Sequence, residues 1–315
     1  MNRFIQKVLY ISIITLITQF IVGNVLHEKR NKLVEEVYFP VKRWKEFYAH
    51  PKKSVGMIFL GSSHCYRSLV PSVFDSVLNV NSFNLGSSSQ SISTSYYVLR
   101  EALKFQSPKT VVLEIFQGTI TNGNTYIDVM HNFSQMQSNV KYAMLQTVSL
   151  NEALSLAAFP LKRVAINKDQ ILLNKKVLPD TTRAQYSIYY DKGYVATFSK
   201  NIFQFAEQEI EPNAPFSIND LQLEYLHKIN QLCLDNQIKL IAVTQPLHPA
   251  YWKNHPEKEI YDEISNTLNE LSIPYYNLNH THPLPAEFFY DAGHILHQGA
   301  ILFSRDVANL LEQNQ

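Results

Sequence analysis

Cysteine, excess charge and repeated sequence are scarce in this chain, and each shortage excludes a class of protein. The 315 residues include two cysteines, Cys65 and Cys233, which cannot build a disulfide framework. A single disulfide remains open, but two free thiols are favoured, and no set of cysteines and histidines has zinc-site spacing. The net charge of +1 provides no field that would attract nucleic acid. We therefore expect no metal, no cofactor and no nucleic-acid partner.

The composition is that of a protein with a large buried core. Hydrophobic residues make up 45% of the chain, and its length leaves room for one large α/β domain or a domain with an insertion. The chain is also rich in aromatic residues, with 18 tyrosines and 18 phenylalanines. Aromatic side chains build cores, but they also line sugar and acyl sites. Their number alone does not decide between these roles.

An apolar run near the N-terminus is the clearest compositional feature. From Val8 to Leu26, roughly 19 residues carry no formal charge, which is about the length that crosses a bilayer core. A cleaved signal peptide and a buried helix are alternatives, but the run is long for a signal peptide and lacks a small-residue cleavage site. We therefore expect an uncleaved anchor at residues 1–30. Residues 31–54 are charged and aromatic and are interrupted by Pro40, so we expect a juxtamembrane stalk there.

Strands and helices are predicted to alternate in residues 55–315. Short apolar or β-branched runs predict strands at 55–60, 82–85, 110–115, 239–243 and 273–278. Helical spacing of apolar residues predicts helices at 90–105, from Ser217 onward, at 256–271 and at about 297–312. Such alternation predicts an α/β three-layer sandwich with a central parallel sheet, of the flavodoxin-like kind. The functional site is then expected at the carboxyl ends of the strands.

The region of about 118–200 interrupts this alternation and is expected to be an inserted helical or lid region. Helices are predicted around 138–160, and a tyrosine-rich loop is predicted at 185–198. The tyrosines of this loop, including Tyr189, Tyr190 and Tyr194, could stack on sugar rings as a substrate-binding surface, or they could pack the lid. The sequence favours neither role.

Ser63, Asp291 and His294 form a candidate catalytic set. Ser63 follows a predicted strand and the glycine at 61, where the chain can turn sharply and backbone N–H groups can face an oxyanion. A serine hydroxyl needs a base to become a nucleophile. Asp291 and His294 are three residues apart, so one loop can present the imidazole to the serine while the carboxylate orients it. Neither Gly-Ser-Ser nor Asp-x-x-His is specific by itself, but each occurs here at the expected end of an α/β chain.

With these motifs, most of residues 55–312 resembles the SGNH/GDSL hydrolase superfamily. Gly61-Ser62-Ser63 resembles the first conserved block, Asn84-Leu85-Gly86 the second, and the segment from Asp291 to His294 the fifth. The resemblance implies that Ser63 is the nucleophile, that Asp291 and His294 complete the triad, and that the backbone of Ser63 and Gly86 contributes to the oxyanion hole. A serine stands at position 62, where the superfamily usually has aspartate.

The third block is where the sequence departs from the superfamily, because no Gly-x-Asn-Asp follows the strand at 110–115. Proteins of the membrane-anchored, DltD-like branch carry a glutamine in this neighbourhood, which makes Gln117 the candidate side-chain donor of the oxyanion hole. Resemblance to this branch implies a single-pass membrane protein with its catalytic domain on the periplasmic or extracellular side. Its implied partners are an acyl donor, a glycan acceptor and a membrane-bound acyltransferase or exporter.

Three functions follow from this resemblance. The favoured one is an esterase or O-acyltransferase that acts on ester-linked acyl groups of envelope or secreted polysaccharide. A general esterase or lipase is the rival among enzymes. A non-catalytic glycan-binding or assembly protein is the rival outside enzymes, because the third block lacks its asparagine.

Overall fold

The structure is a computed structural model that describes residues 3–35, 37–124, 126–157, 178, 180–204, 217–253 and 258–313. Parts of the expected insertion, the last residues of the helices expected around 138–160 and the first residues of the helix expected at 256–271 lie outside this range. The strands are β1 (Met57–Leu60), β2 (Ser82–Asn84), β3 (Thr110–Glu114), β4 (Gln185–Tyr189), β5 (Val195–Ser199), β6 (Lys239–Thr244) and β7 (Tyr275–Asn277). The helices are α1 (Arg3–Val34), α2 (Phe39–Ala49), α3 (Ser63–Ser68), α4 (Pro71–Leu78), α5 (Ile92–Ala102), α6 (Gln117–Ile120), α7 (Tyr126–Phe133), α8 (Val140–Met144), α9 (Leu150–Ala157), α10 (Asp220–Asp235), α11 (Pro249–Lys253), α12 (Lys258–Glu270), α13 (Leu278–Thr281) and α14 (His297–Gln313).

The predicted central parallel sheet is confirmed. Five strands pair in the order β2-β1-β3-β6-β7, and every pair is parallel. Side chains of β1 alternate between two separate apolar clusters, with Ile58 and Leu60 in one and Met57 and Phe59 in the other. Helices α2, α5, α10 and α12 contribute to the first cluster, and α4 and α14 to the second. The sheet is therefore the middle of three layers.

The tyrosine-rich segment predicted as a loop is an antiparallel hairpin of β4 and β5. Its turn is possible because Lys192 and Gly193 adopt positive φ angles of 48° and 85°. Arg67 of α3 donates a 2.9 Å hydrogen bond to Ser187 and another to Thr197, which ties both hairpin strands to the helix that begins at Ser63.

Residues 31–54 were expected to form a juxtamembrane stalk. This expectation is wrong for α2, which packs into the domain. Trp44 and Phe47 are buried in the first apolar cluster. The guanidinium of Arg43 and the indole N–H of Trp44 both donate to the side-chain oxygen of Asn132, at 3.0 and 3.2 Å. Pro40 does not break this helix, because it lies in its first turn, where no backbone N–H is required. The folded domain therefore begins before residue 55.

The apolar N-terminal run lies in α1, a helix of 32 residues. In the described ranges it is the one helix that is long and apolar enough to cross a membrane. Most of its large apolar side chains are exposed rather than packed on the domain. A membrane anchor and a signal sequence both fit such a helix.

Candidate active site

Ser63 is the first residue of α3, immediately beyond the carboxyl end of β1. The chain turns at Gly61, where φ is +145° and a Cβ atom would lie 2.6 Å from the Glu114 carboxylate. Ser62 caps the helix by accepting a 3.1 Å hydrogen bond from the N–H of His64. The N–H of Ser63 lies at the helix start, where no carbonyl of the same helix can accept from it. This local structure presents both the hydroxyl and the backbone N–H of Ser63.

The structure brings together the three residues predicted to form the triad. The Ser63 hydroxyl lies 2.8 Å from Nε2 of His294. Nδ1 of the same imidazole lies 2.9 and 3.0 Å from the two carboxylate oxygens of Asp291. With Nδ1–H donating to the carboxylate, Nε2 is free to accept the serine proton. The chain of hydrogen bonds thus has the geometry of a general base poised at a nucleophile.

The loop from Asp291 to His294 holds the carboxylate in place. Oδ1 of Asp291 accepts hydrogen bonds from the backbone N–H groups of Gly293, at 2.9 Å, and His294, at 2.7 Å. Burial favours the neutral acid, but the His294 side chain and these two N–H groups outweigh that effect and lower the pKa of Asp291. The carboxylate therefore stays charged and can stabilise an imidazolium at His294.

The His294 ring lies between two other rings. His64 stacks on one face with centroids 4.5 Å apart, and Tyr290 stacks with centroids 5.5 Å apart. Ser62 caps α3, so His64 is not needed as a cap and packs on His294 instead. Burial, with a further contribution from the nearby His294, lowers the pKa of His64 well below its usual value. His64 is therefore neutral at neutral pH and presents no positive charge to His294.

Glu114, at the end of β3, lies beneath the nucleophile turn. Its Oε2 atom accepts from the backbone N–H of Ser62 at 2.8 Å and from the Ser62 hydroxyl at 2.9 Å. Burial raises the pKa of this carboxyl to about 7, although the Ser62 hydrogen bonds act in the opposite direction. Glu114 is thus hydrogen-bonded to the residue beside Ser63.

A cavity of about 1040 Å³ opens over the triad. Hydroxyl and amide side chains of Ser89, Ser91, Thr119, Asn122 and Asn124 line it, together with the aromatic rings of Phe116, Phe203 and Tyr251. Ser63, Asp291 and His294 lie on the same wall as His64. The cavity can therefore admit a substrate larger than a simple acetyl ester.

The backbone N–H of Gly86, predicted as an oxyanion donor, does not point into this cavity. That N–H donates a 2.9 Å hydrogen bond to the side-chain oxygen of Asn84. The amide of Asn84 in turn donates to the carbonyl groups of Cys65 and Leu69, at 3.0 and 2.9 Å, so Asn84 locks the Gly86 turn against α3. A Cβ atom at Gly86 would lie 2.8 Å from the Cys65 sulfur, and this close packing is what requires glycine here.

Gln117 is likewise not brought to the cavity as an amide donor. It is 5% exposed, is absent from the cavity wall, and accepts a hydrogen bond from the hydroxyl of Tyr261. Two other amides do line the cavity, but each has a partner. Asn122 donates to the Gly118 carbonyl and Asn124 to the Thr147 hydroxyl, both at 2.9 Å. Among the predicted oxyanion donors, the described geometry favours the backbone N–H of Ser63.

The three tyrosines proposed to bind sugar lie apart from the cavity wall. Tyr194 is fully buried and its hydroxyl lies 2.9 Å from Nδ1 of His297. Tyr189 is 5% exposed and donates to Glu46. Tyr190, by contrast, is 52% exposed. Buried rings cannot stack on a sugar, so Tyr189 and Tyr194 pack the hairpin against the domain instead.

No family model matches the chain, and no curated protein matches it either. Several solved structures are similar to it. A GDSL-like lipase from Bacteroides thetaiotaomicron is 10% identical, with a TM-score of 0.41 over 88% of this chain and 98% of its own. A lipase/acylhydrolase from Enterococcus faecalis is 12% identical, with a TM-score of 0.40 over 82% and 97%. An acetyl xylan esterase is 10% identical, with a TM-score of 0.40 over 82% and 99%. Because these identities and TM-scores are low, the function has to be inferred from the site itself.

Sequence reasoning missed two residues of this site. His64 directly follows Ser63 in the sequence, and this position was the one signal for its contact with His294. The hydrogen bonds of Glu114 to Ser62 join residues that are far apart in the sequence, so the sequence does not indicate this partner. Cys65 and Cys233 are both buried and free.

Proposed function

We propose that this protein is an SGNH-like serine esterase that acts on ester-linked acyl groups through an acyl-enzyme at Ser63. The observation that carries the proposal is the continuous set of hydrogen bonds from Ser63 through His294 to Asp291. Such a set activates an otherwise weak nucleophile. The same set of hydrogen bonds argues against a site that has lost its activity, because three residues of an inactive site need not keep a reactive geometry.

The mechanism follows from this geometry. The Ser63 oxygen attacks the ester carbonyl while His294 takes the hydroxyl proton, and Asp291 stabilises the imidazolium that forms. The N–H of Ser63 donates to the developing oxyanion. The carbon–oxygen bond of the ester then breaks, and His294 returns the proton to the departing alkoxide. A second hydroxyl, from water or an acceptor, releases the acyl group by the same steps in reverse order.

The lining of the cavity supports a glycan as the alcohol part of the ester. Hydroxyl and amide groups can hydrogen-bond to sugar hydroxyls, and exposed faces of aromatic rings can stack on sugar rings. Both kinds of side chain line the cavity over the triad, at Ser89, Thr119 and Asn122 and at Phe116 and Tyr251. We therefore propose acylated polysaccharide of the cell envelope as the substrate class, in preference to the lipid of a general lipase.

Transfer of the acyl group to a glycan is the second candidate reaction. The observation that favours it is α1, which could hold the domain beside the membrane on its periplasmic or extracellular side. Tethering raises the effective concentration of a donor or acceptor presented at the same membrane. The role proposed is that of a DltD-like protein working with a membrane-bound acyltransferase or exporter.

A partition experiment tests the proposal. The full chain in detergent is supplied with an activated acetyl ester, with and without envelope glycans and xylan, and free acetate and acetylated glycan are both measured. We expect turnover in the wild type and in His297→Gln, and none in Ser63→Ala. Free acetate alone would indicate an esterase, and acetylated glycan a transferase. If no ester is turned over while glycans still bind, the non-catalytic alternative holds instead.

A further inference from the structure

A second, smaller cavity of about 200 Å³ lies away from the triad, where the end of α1 meets the domain. Its wall includes Tyr38, Arg43, Tyr66, Arg67, Gly86 and His131. The segment just after α1, the first turns of α2, and α7 thus meet around it. Its wall contains no aspartate or glutamate among the residues that the structure describes.

Arg43 lines this cavity and is a buried cation that has no carboxylate partner among the described residues. It is 3% exposed. Its terminal nitrogens donate to neutral oxygens, the Gly86 carbonyl and the Asn132 side chain. Its Nε atom is buried and has no hydrogen-bond partner in the described ranges. Charged groups are rarely buried without an opposite charge, because desolvation costs several kcal/mol per ion.

His131 is a second basic side chain of this wall, and Arg30 lies beside the wall residue Tyr38. His131 lines the cavity, and its Nδ1 atom is buried without a partner within the described residues. Arg30 lies over the Tyr38 ring, with the guanidinium 4.1 Å from the ring centroid. The Nε atom of Arg30 is buried and likewise lacks a partner there. Arg43 and His131 therefore each bring a buried nitrogen without a partner in the described ranges to the cavity, and Arg30 lies beside Tyr38 of its wall.

The ionisation of these groups agrees with an uncompensated positive field. Burial lowers the pKa of His131 to about 4, with further contributions from the charges of Arg43 and Arg30. Burial also lowers the pKa of Arg43 to about 10, which still leaves the guanidinium charged at neutral pH. A bound anion would remove this repulsion and supply the missing acceptors.

The place of the cavity indicates where the anion comes from. The uncharged run of α1 ends at Leu26, and Arg30 follows one helical turn later, about 6 Å along the axis. If α1 crosses a membrane, Arg30 and the cavity lie at the depth of the lipid headgroups. Basic side chains at that depth attract anionic lipids.

We propose that this cavity binds a phosphate oxyanion, held by Arg43 and His131 with Arg30 beside them. The phosphate of an anionic lipid headgroup and free inorganic phosphate share this chemistry. The site is separate from the triad, yet Arg43 also holds the carbonyl of Gly86, so an occupied site would stabilise the turn next to the nucleophile.

Binding to the full chain in a neutral detergent tests the proposal. The probes are inorganic phosphate and dihexanoyl phosphatidic acid, each compared with chloride at equal ionic strength, and the readout is the thermal unfolding midpoint. We expect a saturable rise with at least one probe. Saturation at lower concentration with the lipid assigns the site to a headgroup, and saturation with both probes at equal concentration assigns it to phosphate itself.

Variants make the test specific. Arg43→Gln should weaken binding by about ten- to a hundredfold, the usual effect of losing a charged hydrogen-bond donor. Because Arg43 is buried and its variant could fold poorly, His131→Gln and Arg30→Gln serve as second variants, each expected to weaken binding about tenfold. Arg305→Gln, on the exposed side of α14, should bind as the wild type does. No saturable rise with either probe, or equal rises in the wild type and in both second variants, would overturn the proposal.

Discussion

The imidazole of His64 lies nearly parallel to that of His294, with centroids 4.5 Å apart and an angle of 17° between the rings. In the proposed mechanism His294 becomes positively charged when it takes the proton of Ser63. A second imidazole at this distance is tolerable only if it is neutral, and the burial of His64 keeps it so. His64 therefore acts as a flat, uncharged support that fixes the plane of the base.

We expect the loss of this support to slow catalysis without weakening substrate binding. In His64→Ala the ring of His294 gains freedom, and kcat should fall by about ten- to a hundredfold with little change in KM. His64→Phe, which restores a flat ring, should recover most of kcat. Steady-state kinetics on an activated ester checks this. A fall in kcat that is equally large in both variants would show that His64 does more than support the base.

Glu114 should make stability depend on pH. Burial raises its pKa from 4.5 to about 7, so the folded protein binds a proton more tightly than the unfolded chain does. The stabilisation is fully present below pH 4.5 and is lost as pH rises to 7, with a size of about 3 kcal/mol. In Glu114→Gln this loss should be absent.

Thermal unfolding of the two full-length proteins between pH 4.5 and 7.5 checks the effect. The unfolding midpoint of the wild type should fall relative to that of Glu114→Gln as pH rises. Asp128, whose pKa burial also raises to about 7, is present in both proteins and cancels in the comparison. If the unfolding midpoints of the two proteins change equally with pH, the Glu114 carboxyl does not titrate in this range.

The hairpin turn should tolerate no side chain at Gly193. Its φ is +85°, and an added Cβ atom would lie 1.8 Å from the carbonyl oxygen of Asn84. Gly193→Ala should therefore destabilise the protein by at least about 2 kcal/mol, through backbone strain and the loss of hairpin docking. Gly123→Ala is the matched control, because nothing lies within 4 Å of its added Cβ. Unfolding midpoints that are the same in both variants would contradict this packing.

The sheet could be predicted from the sequence because its strands are short apolar runs with turns at both ends. The hairpin could not, because its burial depends on contacts from a distant segment, such as the bond from Arg67 to Ser187. For the same reason, the packing of α2 into the domain could not be predicted from the sequence. Its charged and aromatic pattern suggested a stalk, and only the contact of Arg43 and Trp44 with Asn132 shows that it belongs to the domain.

The contact between Ser63, His294 and Asp291 could also be predicted from the sequence, because Asp291 and His294 are close in the chain and Ser63 stands at a strand end. The oxyanion donors were not, since they depend on the direction in which an amide points. The N–H of Gly86 donates to Asn84, and Gln117 lies off the cavity wall with its side-chain oxygen accepting from Tyr261. Residue type and spacing do not specify such directions.

Covalent labelling by a fluorophosphonate is the most direct test of the claim that Ser63 is a nucleophile activated by His294. In the full-length protein we expect one adduct, located by peptide mass mapping on Ser63. The adduct should be absent in Ser63→Ala and nearly absent in His294→Ala, and it should form normally in His297→Gln, whose imidazole contacts Tyr194 instead. Labelling that persists in Ser63→Ala, or a wild type that is never labelled, would contradict the account.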